Sequence, residues 1–510
     1  MQRLGIIDIG SNSIRLIIFE IFIDAVFRQI HESKEMVRLG QTKDAMQNLS
    51  MEKMIYAIET LKVYLQLCKA FEVDEIICTA TEAVRRAPNK AEFLNMVNTQ
   101  AGLKIRILTG IEEAYYDYYA VIHTMNLQNC LIMDIGGSST ELVLMENKKI
   151  INSISLPIGA LSITEMFNLN NVIGAYEMEE MGKFIMYYLL RIDWLKSNLP
   201  LVGIGGSFRN LSKIDRKLKK YPYDNIHNYQ MSNDSANIIF DLLRNKTLKQ
   251  RASVKGLSQD RVDIFCGALA ILVTLLEYTK IEEIRISRAG LREGLAYENI
   301  FNGNKPVDNI LDISLHNLIH VYKIDRKHAE HVWNSVYKLY HQLEEMFSIN
   351  ENMDNILKTA ALLHDCGICI NYENHHKHSF YIILNSPIYG LSHKELIIAA
   401  SVAALHRKED LKILASYQTL LNIDEIQNIR KLGLLLRIAE GLDKRHDQTI
   451  YKIECCADNN IFSIRVFSKM DAVNKVNDIK NMQKCFKENF NINLQIEQVN
   501  GSPSIEKKFI

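Results

Sequence analysis

Proline is scarce in this sequence, seven in 510 residues, and no stretch is of low complexity. Long disordered linkers, which need such composition, are therefore not expected. Net charge is absent as well, because 60 Lys+Arg balance 60 Asp+Glu. Any affinity for a polyanion must then come from local patches. A membrane-length apolar run is also missing: the longest, Phe265 to Leu276, falls short of the ~20 residues a spanning helix needs. Asp8 interrupts the first apolar run so early that no secretory leader is expected. Nine cysteines, an odd number, are scattered without a disulfide-like framework. That pattern fits a reducing cytoplasm better than a disulfide framework.

What is present is a soluble globular composition, 47% hydrophobic and 24% charged. The length is too great for one core, so three or four domains are expected.

The most informative stretch runs Ile6-Ile7-Asp8-Ile9-Gly10-Ser11-Asn12-Ser13-Ile14-Arg15. It reads as strand, tight turn, strand, with a carboxylate at the end of a buried strand. Gly10 lets the backbone turn closely, and Ser11, Asn12 and Ser13 offer hydroxyls, an amide and N–H groups to an anion. An Asp beside such a loop can hold Mg²⁺ against phosphate oxygens; a plain hairpin turn is the alternative. The same grammar returns at Asp134-Ile135-Gly136-Gly137-Ser138-Ser139-Thr140-Glu141, again between apolar strands. A third glycine turn follows at Gly203-Ile204-Gly205-Gly206-Ser207. Two copies of strand–Asp-Ile-Gly–strand imply a duplicated domain facing itself across a cleft.

These motifs resemble those of the sugar kinase, actin and Hsp70 superfamily. More specifically, they resemble its exopolyphosphatase and guanosine pentaphosphate phosphohydrolase family. Beyond the two Asp-Ile-Gly turns, the closer match lies in Thr79-Ala-Thr-Glu-Ala-Val-Arg85, Thr109-Gly-Ile-Glu-Glu-Ala114 and Ser287-Arg-Ala-Gly-Leu-Arg-Glu-Gly294, in the family's order. The resemblance covers essentially the whole chain.

Read in order, the chain opens with strands at Leu4–Ile9, Ile14–Ile21 and Phe27–Val37, followed by an amphipathic helix over 51–71. A short strand, Glu75 to Cys78, and another, Lys104 to Leu108, lead to a helix over 111–125. From Asn129 the plan repeats through Leu201–Ile204 to a last strand, Ile284 to Ser287, and a closing helix, Leu291 to Ile300. Asn302-Gly303-Asn304-Lys305-Pro306 is the clearest boundary signal. A helical, histidine-rich region reaches about Arg445, and the tail alternates like strands at 450–455, 462–466 and 492–496.

The expected fold class is α/β, with two ribonuclease-H-like (actin-like ATPase) half-domains at 1–125 and 126–303. An all-α HD-like domain at 304–447 and a small α+β cap at 448–510 would follow.

The resemblance places a catalytic carboxylate at Glu112, with Glu113 as the alternative, to orient and deprotonate the attacking water. On sequence alone, Thr109-x-x-Glu112 is equally a helix capping box. By the same resemblance Asp8 and Asp134 hold Mg²⁺, and Ser11, Asn12, Ser13, Gly136, Gly137, Ser138 and Ser139 bind phosphoryl oxygens. Gly205, Gly206 and Ser207 would hold a further phosphate, and Arg85 would neutralise the transferred one or form a surface ion pair. Arg288, Arg292 and Glu141 have either site roles or structural ones.

The helical region carries His331, His364-Asp365, His378, His406 and Asp443, an order resembling the HD metal-dependent phosphohydrolases. His331, His364, Asp365 and Asp443 are the candidate ligands for a second divalent metal; packed or groove-lining histidines are the alternative. Cys366-x-x-Cys369 with His375 and His378 is spaced too tightly for a zinc finger, so a core thiol pair is expected. His375, His376, Lys377, His378, His406, Arg407, Lys408, Lys444, Arg445 and His446 recur as basic patches, a candidate polyanion track.

Together these readings imply a cytoplasmic, Mg²⁺-dependent phosphatase removing terminal phosphate from inorganic polyphosphate, with guanosine pentaphosphate as the alternative substrate. A sugar-kinase-like phosphotransferase and a non-catalytic phosphate-ligand sensor are the readings from other classes. A homodimer is implied by resemblance; nucleic acid and membrane partners are not expected.

Overall fold

A computed structural model describes residues 1–510 except 42–47, 196–197, 302, 304–308, 347–352, 409–410, 459 and 500–510. Most of the boundary signal at Asn302, Asn304, Lys305 and Pro306 thus lies outside the described residues. The chain divides into two compact units, Met1–Ile310 and Leu311–Ile510.

The first unit opens with β1 (Gln2–Ile9), β2 (Ile14–Ile21) and β3 (Phe27–Glu35), an antiparallel meander. Helix α1 (Met51–Ala70) begins where the Ser50 side chain accepts the Lys53 N–H. It leads to β4 (Glu75–Ala80), which pairs parallel with β1. Helix α2 (Lys90–Ala101), β5 (Arg106–Ile107) and α3 (Gly110–Ile122) complete the half. The sheet order is β3-β2-β1-β4-β5. Central β1 does not alternate: Leu4, Ile6, Ile7 and Ile9 are all buried, because helices cover both faces.

The second half repeats that order around β6 (Cys130–Ile135), with β7 (Thr140–Glu146) and β8 (Lys149–Leu156) on one side. Helices α4 (Ala160–Met166) and α5 (Ala175–Leu189) follow, then β9 (Leu201–Ile204) and α6 (Gly205–Leu218). β10 (Tyr229–Ser232), α7 (Asn233–Arg244), α8 (Phe265–Thr279) and β11 (Glu283–Ile286) follow, and α9 (Leu291–Ile300) closes the half. The sheet reads β10-β11-β9-β6-β7-β8. Its one addition to the first sheet's plan is β10, antiparallel on the outer edge. The longest apolar run in the sequence becomes α8, buried nearly all round. Helices α3 and α9 join the halves: Tyr116, Val121, Leu295 and Tyr297 share a core with Ile6 and Ile17 of one sheet and Ile132 and Val143 of the other.

The second unit is helical: α10 (Ile310–Val321), α11 (Arg326–His341), α12 (Met353–Leu363), α13 (His375–Asn385), α14 (His393–Ala404) and α15 (Ile423–Asp443). A small sheet ends it, formed by β12 (Ile450–Asp458), β13 (Ile461–Ser468) and β14 (Asn493–Val499), in that order. α16 (Val473–Lys480) and α17 (Gln483–Phe490) make the crossover that lets β14 run parallel to β13. The fold is thus two ribonuclease-H-like α/β halves followed by a helical region and an α+β cap. Among the described residues no helix is long and apolar enough to cross a membrane.

Candidate active site

The duplicated turns meet in one cleft of the first unit. Asp8, Ser11, Asn12 and Ser13 line it from the β1–β2 turn, and Asp134, Gly136, Gly137 and Ser139 from the β6–β7 turn. Gly205 and Gly206 enter from the start of α6. The close approach explains two glycines. A Cβ on Gly137 would lie 2.9 Å from the Ser11 Cβ, so the two loops touch there. Gly205 has φ +81°, and a Cβ on it would collide with the Asp134 carboxylate.

Glu112 and Glu113 separate at the start of α3. Thr109 Oγ1 accepts the Glu112 N–H, and Glu112 Oε2 accepts the Thr109 N–H at 2.7 Å, a complete capping box. Arg106 holds the other Glu112 oxygen at 2.5 Å, outside the residues lining the cleft. The Glu113 carboxylate does line the cleft and is buried. This corrects the expectation that Glu112 faces the substrate: the helix N-terminus claims that carboxylate, and the next residue turns inward. Arg85 is corrected too, since it does not line the cleft directly. It pairs with Glu82, with Glu113 at 2.5 Å, and with the Leu108 carbonyl.

Ser138 and Ser207 also stand outside the lining. Ser207 Oγ donates to the Ile135 carbonyl at 3.2 Å and accepts from Arg261, which ties α6 to β6. The cleft holds residues the sequence did not single out: Arg209 and Arg261, and Arg15 beyond its place in the first motif. Arg288, Arg292 and Glu141, ambiguous in sequence, line it as well. Period-2 alternation after Ser13 could have exposed Arg15, and the one-turn spacing from Gly205 could have exposed Arg209. Nothing local marks Arg261.

Electrostatically the cleft mixes buried carboxylates with buried guanidiniums. Burial raises the pKa of Asp8 and Asp134. Burial, then Glu141, pushes Glu113 up to about 9 against the pull of Arg85. Burial and Asp134 push Glu141 up to about 7, and burial raises Asp117 in the second turn of α3. Asp8 Oδ1 is buried with no hydrogen-bond partner among the described residues. Carboxylates gathered and left short of donors fit a divalent cation. Among them, burial and neighbouring guanidiniums lower Arg15 and Arg261 to about 10, against the pull of nearby carboxylates that include Asp8 and Asp134.

Residues 17–302 match the Ppx/GppA phosphatase family, and residues 310–499 match domain III of Ppx/GppA phosphatases. The chain belongs to the Ppx/GppA phosphatase family. It is 31% identical over 309 residues to the bifunctional 3-dehydroquinate synthase/phosphatase of Fusobacterium nucleatum subsp. nucleatum, covering 58% of this chain. The chain spans about half of that relative's length, 46%. The Ppx/GppA family member of Aquifex aeolicus is 29% identical, with a TM-score of 0.53 over 60% of this chain and 99% of its own. An exopolyphosphatase from Cytophaga hutchinsonii, 24% identical, shares the fold with a TM-score of 0.56 over 60% and 99% of the two chains.

The chain gathers a second set of polar residues in its helical unit. His328, His364, Asp365, His375 and His406 converge there, and Asp443 bonds to His328 at 3.0 Å. Of the expected ligands, only Asp365 is in the two ligand-spaced groups; His331, His364 and Asp443 are in neither, and His328 belongs to one of them. His328 and His331 sit three residues apart on α11, and it is His328 that points inward. His375 and His406 are buried and so leave the candidate basic track, whereas Lys377, Arg407, Lys408, Lys444 and Arg445 are exposed. His378 is in neither ligand-spaced group. Cys366 is buried but Cys369 is exposed, so the expected core thiol pair is only half in the core.

Proposed function

We propose that the cleft hydrolyses the terminal phosphoanhydride of inorganic polyphosphate, releasing orthophosphate, with Glu113 as general base. The observation that carries this is the Glu113 carboxylate, buried between the two Asp-Ile-Gly turns and held by Arg85. Burial makes it a stronger proton acceptor than an exposed Glu. Asp8, Asp134 and Glu141 would hold Mg²⁺, which when bound neutralises charge on the phosphoryl oxygens. A cation bound there would also lower the proton affinity of nearby carboxylates and so favour ionised Glu113. Ser11, Asn12, Ser13, Gly136, Gly137 and Ser139 orient the terminal phosphoryl group through N–H and O–H donors. Arg15, Arg209, Arg261 and Arg292 take the following phosphates.

Arg15, Arg209, Arg261, Arg288 and Arg292 all line the cleft and offer several anion sites, which supports inorganic polyphosphate, with guanosine pentaphosphate the alternative. The nine cysteines are free, which supports a reducing, cytoplasmic setting. The homodimer rests on family resemblance. Phosphate release from long polyphosphate and from guanosine pentaphosphate, measured with purified protein, Mg²⁺ and no acceptor, tests the reading. Release from polyphosphate with the higher kcat/KM is expected. Preference for the nucleotide would reverse the substrate assignment, and a need for an acceptor would make the protein a phosphotransferase.

A further inference from the structure

We propose that Lys34 and Arg38, paired with Asp260 and Asp263, are positioning residues that hold the two phosphate loops of the cleft in register. The inference rests on the reading of that cleft as a phosphoanhydride hydrolase. It concerns four residues that do not line the cleft themselves but reach residues that do.

The first half supplies the cations. Across β1, β2 and β3 the register places Asp8 opposite Arg15, and Arg15 opposite Lys34. Directly opposed residues share a face of the sheet, so Lys34 continues the Asp8–Arg15 row out to the edge strand β3. Like charges so placed repel. Asp260 of the second half offsets that repulsion by pairing with Lys34. Three residues past β3, Arg38 takes φ +55°, a left-handed conformation uncommon for a residue with a side chain. There its N–H bonds the Asn12 carbonyl at 2.9 Å, and the Gly40 N–H bonds the Ser11 carbonyl at 2.8 Å. This segment therefore lies directly against the β1–β2 phosphate turn. From that position the Arg38 guanidinium reaches Asp263 at 2.7 Å.

The second half supplies both anions from one short segment, Asp260-Arg261-Val262-Asp263, just before α8. Arg261, between the two aspartates, enters the cleft and bonds Ser207 Oγ at 3.3 Å. One segment thus carries a substrate-facing guanidinium and two carboxylates that grip the opposite half. A third pair, Arg292 of α9 with Glu32 at 3.0 Å, reaches the same strand β3. Lys34, Arg38, Asp260 and Asp263 are each about a third exposed or less, so salt screens their pairs only in part. The two phosphate loops already touch at Ser11 and Gly137, and a small slip between them would separate donors that must meet one phosphoryl group. Charge alone gives Asp260 and Asp263 no place beside an anion site, where they would repel the substrate. Holding the halves together explains them.

The sign of two substitutions tests this. Asp260→Asn and Asp263→Asn keep the shape and remove negative charge near the cleft. Charge alone predicts tighter binding of tripolyphosphate by each variant; positioning predicts weaker binding. Calorimetric titration of tripolyphosphate into the full-length protein without Mg²⁺ should show Kd raised ~2–5-fold in each, the range of one partly exposed ion pair. Arg38→Ala should weaken binding likewise, and adding Asp263→Asn to it should cost no more, because the pair is already gone. Arg38→Lys, which can still reach one carboxylate oxygen, should bind as the wild type does. With Mg²⁺, the aspartate variants should show raised KM and a kcat within about twofold of wild type, since saturating substrate itself draws the loops together. Circular dichroism checks folding; if Asp263→Asn does not fold, Asp260→Asn and Lys34→Ala decide by the same signs. Unchanged or tighter binding in the aspartate variants, or additive losses in the double variant, would overturn the proposal. A wild type that binds tripolyphosphate without releasing phosphate would overturn the hydrolytic reading, while the calorimetric ranking would still decide the role of the ion pairs.

Discussion

Glu112 and Glu113 are adjacent in the chain, yet their carboxylates part at the first turn of α3. Glu112 closes a capping box on Thr109, and Glu113, which lines the cleft, is held from behind by Arg85 at 2.5 Å. The consequence is that two neighbouring, chemically identical residues must respond oppositely to substitution.

Glu112→Ala should cost ~0.5–2 kcal/mol of stability, the usual loss for a cap, and leave turnover nearly intact. Urea unfolding and phosphate release, measured on the same preparation, check both parts.

Arg85 touches Glu82 and Glu113, not the cleft space itself. Arg85→Lys keeps the charge but loses the planar fork that holds both carboxylates. The expected outcome is a fall in kcat of ~10-fold or more with KM for polyphosphate little changed. A raised KM at unchanged kcat would instead make Arg85 a phosphate ligand, as its sequence context suggested.

Gly205→Ala combines a left-handed backbone, worth ~1–2 kcal/mol for a side-chain-bearing residue, with a collision at Asp134. Displacing that carboxylate should raise the Mg²⁺ concentration needed for half-maximal activity. A Mg²⁺ titration of the variant reads this directly.

The fold was largely legible because its signals are local. The Asp-Ile-Gly turns sit between uninterrupted apolar strands, and their duplication announced two matching sheets. Glu112 misled because Thr109-x-x-Glu112 satisfies a helix end whatever else the helix does, so pattern cannot separate cap from base. Arg261 was illegible for a different reason: it comes from a loop more than fifty residues beyond the third glycine turn, and only tertiary packing brings it to Ser207. His331 and His328 are both histidines on α11, and which of them faces inward is decided by helix rotation. The buried pair His375 and His406 read as surface charge because their neighbours Lys377 and Arg407 are exposed.

The lysines and arginines of the candidate track, Lys377, Arg407, Lys408, Lys444 and Arg445, are exposed and suited to a polyanion. Each phosphate they neutralise releases counterions, so affinity for long polyphosphate should fall steeply with salt. A chain ending at Ile310 should retain hydrolysis of short substrates and lose both processive handling of long chains and that steep salt dependence. Product ladders on gels at two salt concentrations test it, and equal processivity would assign the second unit to another role.

The most direct measurement is the initial rate of orthophosphate release from polyphosphate, at saturating Mg²⁺, by Glu113→Gln. An amide fills the same space and still orients water, but cannot take its proton. The rate should fall ~10²–10⁴-fold with polyphosphate binding retained. A Glu113→Gln variant turning over at the wild-type rate would contradict the assignment of the buried carboxylate as the base of this cleft.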